Sequence, residues 1–306
     1  MTERIPEIIS FRPVETKEGY LPAVHREVFY TGKGTPYLKG PGVIMVSTPK
    51  VDLRGMEGFL SGFPEEFRFV EYLDDPDPLL PTEQLCKAAG QLCYMSFGPE
   101  RTFNKDAQEY FERLISSGHG SVLEHATFGF LLYGLTRDDT HELVRHRAGT
   151  AYSQVSQRYV SGKVLRFVEK MEYQDDKELH ERFIKWIDLA AEEYEERTRI
   201  LMQRQKGGKR ILSGETKTDL RKKVQQTARS ALPNETEAPI FMTANVRAWR
   251  HIINMRASEH AATGIRKLAF GIYRCLRTTS PMLFADMQAV HLPDGTHAVT
   301  TQYPKV

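Results

Sequence analysis

Three short stretches hold much of the chain's histidine and many of its candidate ligand-binding side chains: GHGSVLEH at 118–125, HELVRHRAGTAYSQVSQRYV at 141–160 and NVRAWRHIINMRASEH at 245–260. Read as metal ligands, His141, Glu142 and His146 fail on spacing. A hydrolytic zinc helix places two histidines four apart on one face, whereas positions five apart point about 140° away from each other. Arg145 and Arg147 would also repel a divalent cation. No metal site is expected.

The same arginines suit an anion. Arg145, His146 and Arg147 by themselves would be cations at a helix C-terminus. They are followed by Ser153, Gln154, Ser156, Gln157, Arg158 and Tyr159, in a stretch with Gly149 and little apolar surface. Neutral donors and acceptors interleaved with arginines match a nucleotide: guanidinium groups bind phosphate, while amides and hydroxyls read sugar and base. In the third stretch Asn245, Trp249, Ile252 and Arg256 trace one helical stripe, and Arg247, Arg250, His251 and Asn254 the adjoining one. The alternative is a surface helix with snorkelling arginines. The apolar residues of that helix favour packing on one side and an anionic pocket on the other. Ser121 with Glu124 reads as a helix cap, and His125 as a structural histidine.

Regular elements must position these groups. PTEQLCKAAGQLCYMSF, NKDAQEYFERLISSG up to Gly118, TRDDTHELVRHR and a long charged segment through residues 175–205 read as helices. ATFGFLLYGLT, residues 163–169 and APIFMTA read as strands. A loop at 207–223 leads to a helix ending near Arg229, and two more helices span Asn245–His260 and Thr263–Leu276 before a tail. The first eighty residues look irregular, an extension (1–80) packed on a domain at 81–306, with Gly and Pro clustered at 31–42 and 74–81. GKGT at 32–35 lacks the ending and the earlier glycine of a phosphate loop.

The 306 residues carry 42 basic and 40 acidic side chains, for a net charge of +2. That near-neutrality argues against general polyanion or nucleic-acid binding, so an anion site must be local. Hydrophobic residues at 40% and charged residues at 27% suit a globular chain. No apolar run approaches the roughly 18 residues of a membrane span. The opening residues lack a signal-peptide pattern. Cys86, Cys93 and Cys275 form neither a disulfide framework nor a metal motif, which fits a reducing cytoplasm.

From about Thr82 onward the chain resembles the flavin-dependent thymidylate synthases. Their signature is RHR, seven residues, Ser, any residue and Arg-Tyr. Here it reads RHRAGTAYSQVSQRYV, with eight residues between Arg147 and Ser156. The blocks GHGSVLEHATFGF and ARSALPNETEAPIFMTANVRAWRHIINMRASEHA match in the same order. The extra residue is expected to be absorbed within Ala148–Ala151. The resemblance implies an α/β (α+β) fold with a central mixed or antiparallel sheet flanked by helices. It also implies a homotetramer whose active sites are built from several subunits. The reaction implied is FAD-dependent methylation of deoxyuridylate to thymidylate, with 5,10-methylenetetrahydrofolate as carbon donor and NADPH as reductant. FAD would be held by Ser96, Ser121, Arg145, His146, Arg147, Gln154, Asn245, Arg247 and His251. Deoxyuridylate would be held by Glu142, Arg145, Gln154, Ser156, Gln157, Arg158, Arg229 and Arg256, with Arg256 the catalytic residue that stabilises the ionised ring. The alternatives are a paralogue acting on another pyrimidine nucleotide and a non-catalytic nucleotide- or RNA-binding protein.

Overall fold

Alternate burial along two strands builds the centre of the molecule. Phe128, Phe130 and Leu132 on one, and Ile240, Met242 and Ala244 on the other, all turn into the core, as the two-residue side-chain period requires. The computed structural model describes residues 14–16, 19–159, 164–206 and 217–306. Of the loop expected at 207–223, residues 207–216 lie outside these, and from Lys217 the chain is helical.

In chain order the strands are β1 (Val14–Thr16), β2 (Gly19–Leu21), β3 (Ala23–Val24), β4 (Phe29–Tyr30), β5 (Pro36–Leu38), β6 (Gly42–Ser47), β7 (Thr127–Tyr133), β8 (Thr150–Gln154), β9 (Phe167–Val168), β10 (Ile240–Asn245), β11 (Gln288–His291) and β12 (His297–Thr300). The helices are α1 (Glu57–Leu60), α2 (Pro81–Leu92), α3 (Ala107–Ser116), α4 (Arg137–Leu143), α5 (Met171–Gln174), α6 (Lys177–Lys206), α7 (Lys217–Ala228), α8 (Val246–Arg256) and α9 (Thr263–Thr279).

The main sheet has the order β3-β6-β7-β10-β8, with antiparallel neighbours throughout. One face shares a continuous core with residues of α2, α3, α8 and α9, including Cys86, Phe111, Trp249 and Leu276. Trp249 meets Phe130 edge-on at 5.1 Å and donates its indole N–H to the Phe128 carbonyl, a partner that a buried indole needs. The fold is therefore the expected mixed one, a central antiparallel sheet packed against helices.

Residues before Thr82 enter this sheet, since β3 and β6 form one edge of it. The 31–35 turn is used for packing: Thr31 and Thr35 both donate to Asp188 on α6, at 2.6 and 2.5 Å. A second, three-stranded sheet, β4-β5-β9, covers α6 through Tyr37, Phe167, Phe183 and Ile187.

Several boundaries differ from the sequence reading. Of the strand expected at 163–169, residue 163 lies outside the described residues, and among the rest Phe167–Val168 forms the strand. The polar stretch after Gly149 is an edge strand, β8, and the tail contains the β11–β12 hairpin. The helix begun at Asn245 ends at Arg256, short of His260, because Ser258 turns its hydroxyl to the His260 amide and offers the backbone a competing turn.

Candidate active site

Helix α4 starts on a capping box in which Thr136 and Asp139 satisfy each other's backbone amides, which fixes where Glu142 falls one and a half turns later. The helix stops at Leu143, so Arg145, His146 and Arg147 lie beyond it rather than in its last turn. The Tyr152 hydroxyl donates at 2.6 Å to the His146 carbonyl and lies 3.0 Å from that of Leu143, and Thr150 donates to His146 at 2.9 Å. The side chains of β8 thus supply partners to the loop that follows the helix, while the Leu143 carbonyl accepts from the His146 amide in a tighter turn.

Gly149 makes the turn into β8 with φ +68°, a left-handed conformation that only glycine adopts freely. An added Cβ would stand 2.6 Å from the side-chain amide nitrogen of Asn245. The two residues also meet through the backbone, where the Asn245 N–H donates to the Gly149 carbonyl at 3.1 Å. Asn245 then caps α8 by accepting from Ala248 N at 2.8 Å. One glycine thus docks the 148–151 turn on the start of the helix that carries Arg247, His251 and Arg256.

At the far end of α8, Arg256 is clamped. Its Nε donates to His146 Nε2 at 2.9 Å, Nη1 to Glu142 Oε2 at 2.5 Å and Nη2 to the Glu142 carbonyl at 3.0 Å. Burial, followed by the charges of Arg256 and His251, lowers the His146 pKa to about 4. His146 is therefore neutral near pH 7, and its Nε2 lone pair can accept from the guanidinium. Three of the five guanidinium N–H groups are used, leaving two for a ligand. The His251 ring stands 5.5 Å from that of His146.

Arg247 lines two cavities. One, of about 480 Å³, is lined by Ser96, Ser121, Tyr94, Arg113 and Arg247 among others. The other, of about 270 Å³, is lined by Asn245, Arg247, His251, Ala148, Gly149 and the last three residues. Arg247 is paired with Glu124 at 2.6 Å. This corrects the reading of Ser121 and Glu124 as a cap: Gly120–Glu124 is a 3-10 turn without a side-chain cap, and the guanidinium attracts the carboxylate instead. His125 is exposed rather than structural.

Other expected residues are more scattered. Gln154 donates to Thr140 at 2.8 Å, and Ser156 accepts from the Arg158 amide. Gln157 lines a separate cavity of about 610 Å³ beside Arg166 and Glu237, and its buried Nε2 has no partner among the described residues. Arg158 lies over the Tyr159 ring at 5.6 Å. The side chains of Arg145 and Arg147 are exposed and make no ion pair among the described residues. Arg229 sits on a 3-10 turn after α7, packed against α6. No group of three or more metal-ligating side chains occurs among the described residues.

The stripe reading of α8 needs one correction. Arg250 does not line a pocket with Arg247 and His251. It is buried, bidentate on Asp286 at 2.7 and 2.8 Å, and donates to main-chain oxygens of Leu283 and Val306. Tyr152 and Thr140, which brace the arginine loop, were not singled out from the sequence. Their signal was weak, since Thr140 meets Gln154 across fourteen positions.

The family model described as "Thymidylate synthase complementing protein" matches residues 78–282. A protein of Mycobacterium leprae named "Flavin-dependent thymidylate synthase" is 38% identical over 237 residues, covering 76% of this chain and 92% of its own length. One of the same name from Mycolicibacterium gilvum is 41% identical over 217 residues, covering 71% and 84%. A third, from Mycobacterium tuberculosis, is 38% identical over 238 residues, covering 76% and 92%.

Proposed function

The chain belongs to the thymidylate synthase complementing protein family, and on that premise we propose that it methylates deoxyuridylate to thymidylate, using FAD, 5,10-methylenetetrahydrofolate as carbon donor and NADPH as reductant. The observation that carries the reading is the Arg256 clamp. Glu142 and a neutral His146 hold the guanidinium from one side and leave two N–H groups directed elsewhere. A preset cation of this kind stabilises negative charge as it develops on a pyrimidine ring nitrogen and the adjoining carbonyl, without reorganising at the moment of reaction.

The residues fit a flavin dinucleotide. Two cavities that share one arginine in their walls suit an elongated ligand with rings at its ends and charge between them. In this reading Ser96 and Ser121 hold one end, Asn245 and His251 the other, and Arg247 the diphosphate, with Arg145, His146, Arg147 and Gln154 completing the cofactor contacts. When bound, the flavin supplies the hydride that reduces the transferred carbon. The chain's own residues bind and orient. Glu142, Arg145, Gln154, Ser156, Gln157, Arg158 and Arg229 hold the nucleotide, and Arg256 polarises its ring.

A homotetramer belongs to the same proposal. Within one chain Arg145 and Arg147 project outward and Arg229 lies on a separate helix end. Sites shared between subunits would let such residues converge. The catalytic part is assigned to 81–306, with 1–80 as its extension. Three unpaired cysteines accord with a cytoplasmic setting. No helix among the described residues is long and apolar enough to cross a membrane.

The test is an absorbance titration. Purified protein supplied with FAD should keep flavin bands through desalting, and deoxyuridylate should perturb them. Protein that retains no flavin refutes the reading. A shift with deoxycytidylate and none with deoxyuridylate would assign a different pyrimidine substrate.

A further inference from the structure

The last residues of the chain fold back over the helix that carries the candidate cofactor contacts. Arg250, 1% exposed, anchors them by donating from Nε to the main-chain oxygen of Val306 at 3.0 Å. Its partner Asp286 also accepts from Thr301 at 2.5 Å, and the Val299 amide donates to Ala257 at the end of α8. Val306 is consequently buried, and Pro304, Lys305 and Val306 become a wall of the 270 Å³ cavity that holds Asn245, Arg247 and His251. The family model ends at residue 282, so this wall lies outside the matched segment.

The charge balance of the cavity is incomplete for a diphosphate. Arg247, its one guanidinium, is already paired with Glu124 at 2.6 Å. The Lys305 side chain is exposed and makes no ion pair among the described residues, so its ammonium is available. We propose that Lys305 is a further cofactor-contacting residue, which binds the diphosphate of the flavin dinucleotide and is positioned by the Arg250–Asp286 latch. A lysine suits the task as a mobile point charge at the cavity rim. This inference rests on the flavin reading above.

The experiment measures FAD affinity by quenching of flavin fluorescence for the wild type, Lys305→Ala, Lys305→Arg and a control, Lys185→Ala on the exposed side of α6. Titrations run at about 50 and about 500 mM NaCl, the higher salt screening an exposed ion pair. Lys305→Ala should bind FAD roughly tenfold more weakly at low salt, the scale of one hydrogen bond to a charged group. Lys305→Arg should restore most of that affinity, the gap should narrow at high salt, and Lys185→Ala should match the wild type. Affinity of Lys305→Ala within about twofold of wild type at low salt, or a loss that arginine does not rescue and salt does not narrow, overturns the inference alone. Wild-type protein that binds no FAD overturns the flavin reading and this inference with it.

Discussion

Acidification should destabilise the protein through His146, and the size of the effect follows from its environment. Its pKa falls from 6.5 to about 4 in the folded protein because of burial, then the charges of Arg256 and His251. Below 6.5 the unfolded chain takes up a proton that the folded chain refuses, so stability decreases as pH drops toward 4 and levels off beneath it. The whole shift corresponds to at most about 3 kcal/mol at about 1.4 kcal/mol per pKa unit, and because His146 is only half-buried, solvent screening reduces the part lost by about pH 5 to about 1 kcal/mol. Urea unfolding at about pH 7.5 and about pH 5 would isolate it by comparing wild type with His146→Gln, which keeps an acceptor for Arg256 but does not titrate. Carboxylates common to both proteins cancel in the difference. The wild type should lose about 1 kcal/mol more than the variant over that interval. Parallel losses would refute the argument that a neutral, half-buried His146 accepts from Arg256.

Arg256→Ala should retain FAD, because the two cavities keep their lining, yet lose turnover by a factor on the order of a hundred or more, measured as thymidylate formed; near-normal turnover removes Arg256 from the mechanism. Replacing Cys86 and Cys275 by Ala and Cys93 by Ser should leave methylation measurable. Burial pushes both the Cys86 and the Cys275 thiol up to about 12, far from a reactive thiolate; a folded triple variant without turnover would establish a thiol nucleophile. Gly149→Ala should destabilise the protein by more than about 1 kcal/mol in denaturant melts and weaken FAD binding, since it imposes a positive φ on alanine and drives its Cβ into Asn245. Unchanged stability and affinity would show that the 148–151 turn relaxes freely.

Much of the fold was legible where local signals agree with tertiary demand. The alternation in TFGFLLY and the Thr-x-x-Asp start of α4 both specify their elements without outside help. What stayed hidden depended on distant partners. GVIMVS at 42–47 is an apolar run bounded by turn residues, but its place beside β7 comes from a pairing across some ninety positions. β8 is short and polar, and its strand character comes from β10. Arg247 and Arg250 lie on one helix, three residues apart, with opposite fates. Only Asp286 and two main-chain oxygens, all supplied from later in the chain, make burial of Arg250 tolerable. The members of the Arg256 clamp were each visible in the sequence, yet nothing in it states that residues 142, 146 and 256 touch.

The strand order explains how the segment before Thr82 can belong to the central sheet and still stay clear of a demanding site. β3 and β6 join the sheet beyond β7, whereas the arginine loop, β8 and the start of α8 gather at the opposite edge, around β10. The strands on the first edge add pairing and apolar burial without entering the Arg256 clamp. At the second edge the constraints are severe. The Gly149 carbonyl fixes Asn245, Asn245 caps α8, and α8 carries Arg256 to Glu142 and His146. A displacement of the 148–151 turn would therefore move the start of α8, and through it both the cofactor contacts and the guanidinium. In the proposed reaction these must stay in mutual register, because the ring that Arg256 polarises has to face the flavin. The backbone link from Gly149 to Asn245 provides a physical means of holding that register.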